Sequence, residues 1–313
     1  MCKISIAMTT YNGEKYLKEQ LDSLYSQTLL PDEIVVVDDC STDSTSDILE
    51  EYHKSKGLIY IINDTNLGVN KNFEKAIRLC KGEYIAICDQ DDIWLTTKIE
   101  RSINKLREIE KNNLPSLVTS EKIDIDKLGE IIYRPKQKGD SDEYYISLFN
   151  HYMQGCTMFM NRKLLEYILP LPDRKEIMYD VFIGLTASMV GNKYNIGEPL
   201  MYYRRHENNV TGRIGEKTKI KESIFEKYFP FYSKGRLNNM YYVDERNSSY
   251  FIPDRKNLYY KIIDISSEKN ILLKIYKILS IKELSKSQKL QAVINTIFNT
   301  LGSCKILSSI RLI

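Results

Sequence analysis

Short apolar runs recur along the first two-thirds of the chain, each ending in a polar or acidic cluster and followed by apolar positions at helical spacing. Lys3-Ile4-Ser5-Ile6-Ala7-Met8 reads as a first strand. The Asn12-Gly13 turn signal after it leads to a helix over residues 15–27, with Tyr16, Leu17, Leu21 and Leu24 along one face. Pro31 closes the linker, and Glu33-Ile34-Val35-Val36-Val37 has the β-branched content of a buried parallel strand. A helix over residues 44–52, a strand over 59–62, a helix over 69–80 carrying Phe73, Ala76, Ile77 and Cys80, and a strand over 84–88 extend the repeat. This order predicts a doubly wound α/β fold with its loops gathered at one sheet edge.

Further on, Trp94 to Ile109 reads as a helix with Trp94, Ile99, Ile103 and Leu106 as core contacts, and residues 117–120 as a strand. Residues 124–142 are polar and irregular apart from a short strand at 131–133. Residues 153–160 read as another strand, in which Gly155 suits a close approach of the backbone to a neighbour. Asn161 and Arg162 start a helix that ends before Pro170, and residues 178–187 form an apolar helix with one carboxylate, Asp180, near its first turn. Residues 200–204 give a late strand that leaves Arg204, Arg205 and His206 together. From about residue 218 the character changes to an aromatic cluster (Ile224, Phe225, Tyr228, Phe229, Phe231, Tyr232) and basic amphipathic helices carrying Leu290, Val293, Ile294, Ile297, Phe298 and Leu301. Two parts are expected: a domain over 1–215 and a helical extension over 216–313.

Composition narrows the class. With 313 residues, 42% hydrophobic and 28% charged, the chain can bury one large α/β core plus an appended element. A net charge of +3 without a recognition motif argues against nucleic acid as a partner. Residues 254–313 hold eleven Lys/Arg against four Asp/Glu, so these helices suit an anionic membrane surface; packing on the core or on a second subunit, as in a homodimer, suits them equally. The six Cys show neither metal-ligand nor disulfide spacing, no basic-apolar leader precedes the first strand, and no long apolar run could span a membrane. A reducing, cytoplasmic setting is the expectation.

The candidate chemistry sits where the fourth strand runs into Asp89-Gln90-Asp91-Asp92. Strand alternation starts Asp89 and Asp91 on one side, and carboxylates crowded at a buried strand end repel unless a cation or a set of donors offsets them. Mg²⁺ or Mn²⁺ there would be free to hold phosphate oxygens. Neither GxGxxG after the first strand nor GxxxxGK[ST] anywhere is present, which removes the usual dinucleotide-binding and P-loop signatures. Asp180 reads equally as a helix cap or as a working carboxylate.

Met8-Thr9-Thr10-Tyr11-Asn12-Gly13, Val36-Val37-Asp38-Asp39-Cys40-Ser41-Thr42-Asp43, Asn66-Leu67-Gly68, Gly82-Glu83-Tyr84 with Asp89-Gln90-Asp91-Asp92, and then Tyr179-Asp180 and Tyr203-Arg204-Arg205-His206 fall in a familiar order. In these stretches, over residues 3–212, the chain resembles the inverting glycosyltransferases of family 2, and most of all the bacterial rhamnosyltransferase-like members that build O-antigen, capsule or cell-wall polysaccharide. The resemblance implies a GT-A fold, with a Rossmann-like, mostly parallel central sheet flanked by helices and a C-terminal helical extension. It implies a nucleotide-sugar donor, an oligosaccharide, polysaccharide or lipid-linked acceptor, and work at the inner face of the cell membrane. Thr9, Tyr11, Asp39 and Asn66 would line the nucleoside pocket, Asp89 would meet the ribose or sugar, and Asp91 with His206 would hold the metal. Arg204 would lie near the diphosphate, Asp92 would position the loop, and Asp180 would be the base. A deoxyhexose on dTDP is the donor it suggests, with a UDP-hexose or UDP-N-acetylhexosamine as the alternative. A nucleotidyltransferase would need a basic Gly-rich loop where Thr10-Tyr11-Asn12-Gly13-Glu14 stands; a non-catalytic sugar-binding scaffold would keep the fold and lose the base.

Overall fold

The computed structural model describes residues 3–110, 114–136, 139, 141–142, 153–174, 177–207, 209, 234–268, 270–281 and 289. The chain divides into two compact units, one of residues 1–144 with 153–214, the other of 145–152 with 215–313.

The first unit is built on one sheet. Strands β1 (Ile4–Thr10), β2 (Glu33–Asp38), β3 (Ile59–Ile62) and β4 (Tyr84–Cys88) alternate with helices α1 (Leu17–Tyr25), α2 (Thr45–Lys56) and α3 (Val69–Leu79). They lie side by side in the order β3-β2-β1-β4, all parallel. The apolar content of three of them follows from burial on both faces: every residue of β4 is buried, as is nearly all of β1 and β2, while the edge strand β3 is partly exposed.

The other half of the sheet departs from a mostly parallel arrangement. After β5 (Ile93–Trp94) and α4 (Lys98–Ile109) come β6 (Ser116–Ile125), β7 (Ile131–Tyr133), β8 (Ser141–Asp142), β9 (Phe159–Asn161), the short helix α5 (Leu165–Ile168), α6 (Tyr179–Val190) and β10 (Asn192–Arg204). The order continues β4-β9-β6-β10-β5. β9 runs antiparallel to both β4 and β6, β5 and β8 antiparallel to β10, and β7 antiparallel to β6; β10 is parallel to β6. The sheet is therefore mixed. No helix crosses between β4 and β5, because only a few loop residues separate them, and so short a connection cannot make a parallel crossover.

Two element boundaries differ from expectation for local reasons. Trp94 lies in β5, opposite Met201 of β10, and the helix starts only at Lys98. The Trp94 N–H goes to Ser23 Oγ (3.0 Å) and the Leu95 N–H to Leu200 O (3.0 Å), so tertiary partners take the first turn's donors. Residues 153–160 yield only the short β9, since Gly155–Thr157 form a 3₁₀ turn. There a Cβ at Gly155 would collide with the Tyr179 hydroxyl, so the turn needs glycine. The late strand is longer than its apolar run, starting at Asn192.

The second unit has helices α7 (Lys234–Asn247), α8 (Pro253–Ser267) and α9 (Ile271–Ser280), with Met240, Val243, Leu258, Tyr259, Ile262 and Ile278 buried among them. The aromatic cluster at 224–232 and the apolar positions at 290–301 lie outside the described residues. No described helix is long and apolar enough to cross a membrane.

Candidate active site

Register places the site. β1 pairs with β2 at Thr10–Asp38 and with β4 at Met8–Cys88, so three neighbouring strands end together and deliver Tyr11, Asp39 and Asp89 to one edge. The Thr10 hydroxyl donates to Asp38 Oδ1 (2.6 Å), and Asp38 also accepts from the Ser41 N–H (2.8 Å), which turns the loop after β2. Cys40 there takes a positive φ of 67° and Asn12 one of 47°. Asn12 answers across the gap, its Oδ1 accepting the Thr42 N–H (2.9 Å).

Thr9 is half-buried at the end of β1, and Tyr11 is exposed. Asp39 is buried and accepts from Asn63 Nδ2 (2.9 Å) and the N–H groups of Leu67 (2.8 Å) and Gly68 (2.9 Å), while Asn66 Nδ2 donates to the Asp39 carbonyl (3.2 Å). Asp39 and Asn66 are thus brought together. With three of about four acceptor directions filled, Asp39 shapes the loop. Gln90, to which the sequence assigned no role, clips the Tyr11 backbone from both sides: its Oε1 accepts the Tyr11 N–H (2.8 Å) and its Nε2 donates to the Tyr11 carbonyl (3.0 Å).

The acidic loop is held from β10. Asp92 is fully buried; its Oδ1 accepts the Arg204 N–H (3.0 Å), and its Oδ2 is buried with no partner among the described residues. Arg204 is also buried. Its Nε donates to the Asp91 carbonyl (3.0 Å), a terminal nitrogen meets Glu19 Oε2 (2.5 Å), and its guanidinium lies 4.6 Å from the Tyr16 ring centroid. His206 Nε2 lies 2.8 Å from Asp91 Oδ2, with its ring against Tyr16.

Beneath the loop sits Lys98, which the helical spacing did not single out. It is buried, its Nζ donating to the Cys156 carbonyl (2.5 Å) and lying 3.2 Å from Met201 Sδ and 4.0 Å from the Trp94 ring centroid. Burial pulls its pKa down to about 8, against the pull of Asp92 and Asp89. Both carboxyls are pushed up in turn. Asp89 rises to about 7, by burial first and then by the charges of Asp91 and Asp180, and Asp92 rises well above the ordinary range, by burial and then by Asp91 and Asp89.

Asp180 stands in the first turn of α6, half-buried, with the Val181 N–H donating to its Oδ1 (2.7 Å). Burial raises its pKa to about 6, although backbone N–H groups of Val181 and Gly155 favour the charged form.

A divalent cation fits here on two counts. Asp89, Asp92 and Cys156 offer ligand atoms within 4.8 Å of one another, and the Asp92 Oδ2 atom wants a partner. Burial holds the Cys156 thiol protonated, so the hard ligands of that cluster are its two carboxylates. Asp91 Oδ2 and His206 Nε2 stand outside that cluster, within hydrogen-bond distance of each other at 2.8 Å. A carboxylate with an imidazole suits Mn²⁺.

A GT-A-like mixed α/β sheet whose parallel half ends in a carboxylate cluster fitted for a cation defines a class of nucleotide-using transferases. The model of the family described as "Glycosyl transferase family 2" matches residues 5–169, and the chain belongs to that family. A protein named dTDP-rhamnosyl transferase RfbG, from Shigella flexneri, is 32% identical over 234 residues, covering 68% of this chain and 77% of that one. An uncharacterised glycosyltransferase of Methanocaldococcus jannaschii is 30% identical over 253 residues, covering 76% and 83%. Among solved structures, S. aureus TarS 1-349 superposes with a TM-score of 0.58 at 20% identity over 95% of this chain and 80% of that one, and a related structure of it holds UDP-GlcNAc. That likeness concerns the fold.

Proposed function

We propose that the chain is an inverting glycosyltransferase that moves a sugar from a nucleoside-diphosphate-sugar to a hydroxyl of a growing cell-surface polysaccharide or lipid-linked oligosaccharide. Support for this reading comes from the family match over residues 5–169 together with the carboxylate cluster at the end of β4, a loop suited to a cation and the leaving group; Asp180 is the candidate base. Thr9, Tyr11, Asp39 and Asn66 receive the nucleoside. Asp89 meets the ribose or sugar. Asp91 and His206 hold Mg²⁺ or Mn²⁺, which when bound stabilises the charge developing on the diphosphate. Arg204 acts on the donor through the loop it holds.

Asp180 takes the proton of the acceptor hydroxyl as that oxygen forms its bond to the anomeric carbon, and the bond from that carbon to the diphosphate oxygen breaks on the opposite face. One displacement inverts the anomeric centre. A single carboxylate suffices because the leaving group needs no protonation, unlike the alcohol leaving group of a glycosidase. The relative named as a dTDP-rhamnosyl transferase supports a deoxyhexose on dTDP; UDP-hexoses and UDP-N-acetylhexosamines are the competing donors. A cytoplasmic placement at the inner membrane face follows from that donor class, and residues 216–313 serve acceptor, membrane or a second copy in a homodimer.

Incubating the protein and Mn²⁺ with a panel of these donors, and following nucleoside diphosphate release and thermal protection, tests the proposal. One donor should stand out in both readouts; a panel without protection or release by any donor would overturn it. A scaffold that only binds would show protection without turnover on any acceptor.

A further inference from the structure

The β6–β7 hairpin rises beside the acidic loop. The Ile125 carbonyl at the end of β6 accepts the Arg205 N–H (2.8 Å), and a Cβ on Gly129 at the hairpin tip would come within 4.0 Å of the Arg204 guanidinium. The tip itself is locked. Asp126 Oδ1 accepts the N–H groups of Leu128 (2.8 Å) and Glu130 (3.0 Å), the Asp126 N–H goes to Glu130 O (2.9 Å), the Gly129 N–H goes to Asp126 O (3.1 Å), and Gly129 takes a φ of +91° that glycine allows.

What this rigid turn displays is apolar. Leu128 at the tip is 79% exposed, and the three residues of β7, Ile131, Ile132 and Tyr133, are 51%, 55% and 51% exposed. A register shift between the Asp124–Tyr133 and Ile125–Ile131 pairs interrupts the alternation of inward and outward positions, so no residue of the strand is covered. Exposed cations bracket the patch: Lys127 on one side, Arg134 and Lys136 on the other, with Glu130 the exposed carboxylate between them.

We propose that this hairpin tip docks on an anionic lipid bilayer, seating Leu128, Ile131 and Ile132 in the interfacial layer while Lys127, Arg134 and Lys136 meet lipid phosphates. A flat protein partner would cover one side of the ribbon, whereas a fluid interface takes apolar side chains on all sides of it. The bracketing cations supply the charge complementarity that selects an anionic surface. Because the turn is already fixed by Asp126 and Gly129, little ordering entropy opposes the display. Docking there would bring the edge of the sheet that carries Asp91 and His206 against the membrane. Neither donor nor acceptor enters this inference, so it stands apart from the glycosyl transfer proposed above.

The test is vesicle cosedimentation of the full chain with phosphatidylcholine vesicles and with vesicles rich in phosphatidylglycerol. One variant carries Leu128→Ser, Ile131→Ser and Ile132→Ser, the other Lys127→Gln, Arg134→Gln and Lys136→Gln. The wild type should pellet with the anionic vesicles only. The first variant should lose at least about tenfold in affinity, and the second about fivefold per cation removed, a loss that added salt reproduces in the wild type. Both should keep the wild-type melting temperature. Equal binding by wild type and variants, or no binding by the wild type, overturns the proposal. So does a change in oligomeric mass on light scattering with vesicle binding unchanged, which would assign the patch to a second copy of the chain.

Discussion

His206 Nε2 and Asp91 Oδ2 lie 2.8 Å apart although 115 positions separate them in the chain. β4 delivers one and β10 the other, and Arg204, two residues before His206, ties the two strand ends by donating to the Asp91 carbonyl. If this pair binds the cation, Asp91→Ala and His206→Ala should each weaken Mn²⁺ binding by about 10–100-fold, by analogy with the loss of supporting groups at other metal sites. Electron paramagnetic resonance of Mn²⁺ titrations reads this directly. Unchanged affinity in both would move the ion to Asp89 and Asp92.

If Asp180 is the base, it sets a pH dependence. Burial raises its pKa to about 6, and a base works only when deprotonated, so turnover should climb as pH rises through about 6 and level off above it. Below that point each unit of pH should cost about tenfold. Asp180→Asn should lower kcat by about 10²–10⁴-fold, remove the acid limb of the profile and leave donor binding near wild type. A retained acid limb in the variant would give the titration to another group.

Arg204 can be tested through its partner Glu19, which shares a surface-exposed ion pair with the buried guanidinium. Glu19→Gln should change donor affinity little, about twofold, because the Asp91 carbonyl and Tyr16 still hold Arg204. Arg204→Lys loses the planar fork that spans Glu19 and the loop, and donor affinity should fall about tenfold or more with kcat less affected. Calorimetry of nucleoside diphosphate binding separates the two variants; an Arg204→Lys protein with unchanged donor affinity would deny the loop this support.

The parallel half of the sheet was legible because its inner strands are buried on both faces and so read as unbroken apolar runs ending in polar loops, as at Val35-Val36-Val37 and Ile85-Ala86-Ile87. The mixed half was not. β9 is three residues long, and its antiparallel pairing depends on Gly155 yielding space to Tyr179, a contact between distant segments that no local period encodes. At the site, the carboxylates announced themselves through their crowding, which is a property of adjacent residues. Their supports did not: Gln90 acts through a clip on Tyr11, and Lys98 sits on a helix whose i, i+3, i+4 spacing gives a lysine no reason to point inward. The one available hint was that Lys98 follows Trp94 by four residues, placing a cation within reach of an aromatic face.

Lys98 gives the last prediction. Its ammonium favours the charged forms of Asp89 and Asp92 against the burial that pushes both toward the neutral form, so removing the cation should raise both carboxyls further and cost stability that grows as pH rises through about 7. Lys98→Met keeps the aliphatic stem against Trp94 and should destabilise the fold more at pH 8 than at pH 6, as measured by urea denaturation. Asp92→Asn keeps an oxygen for the Arg204 N–H while discarding the charge. Combined with Lys98→Met, it should recover part of the loss, giving a coupling energy of about 1–2 kcal/mol in a double-mutant cycle. Strict additivity of the two substitutions would show that Lys98 serves the core only through its bonds to the Cys156 carbonyl and Met201, with no charge link to the loop.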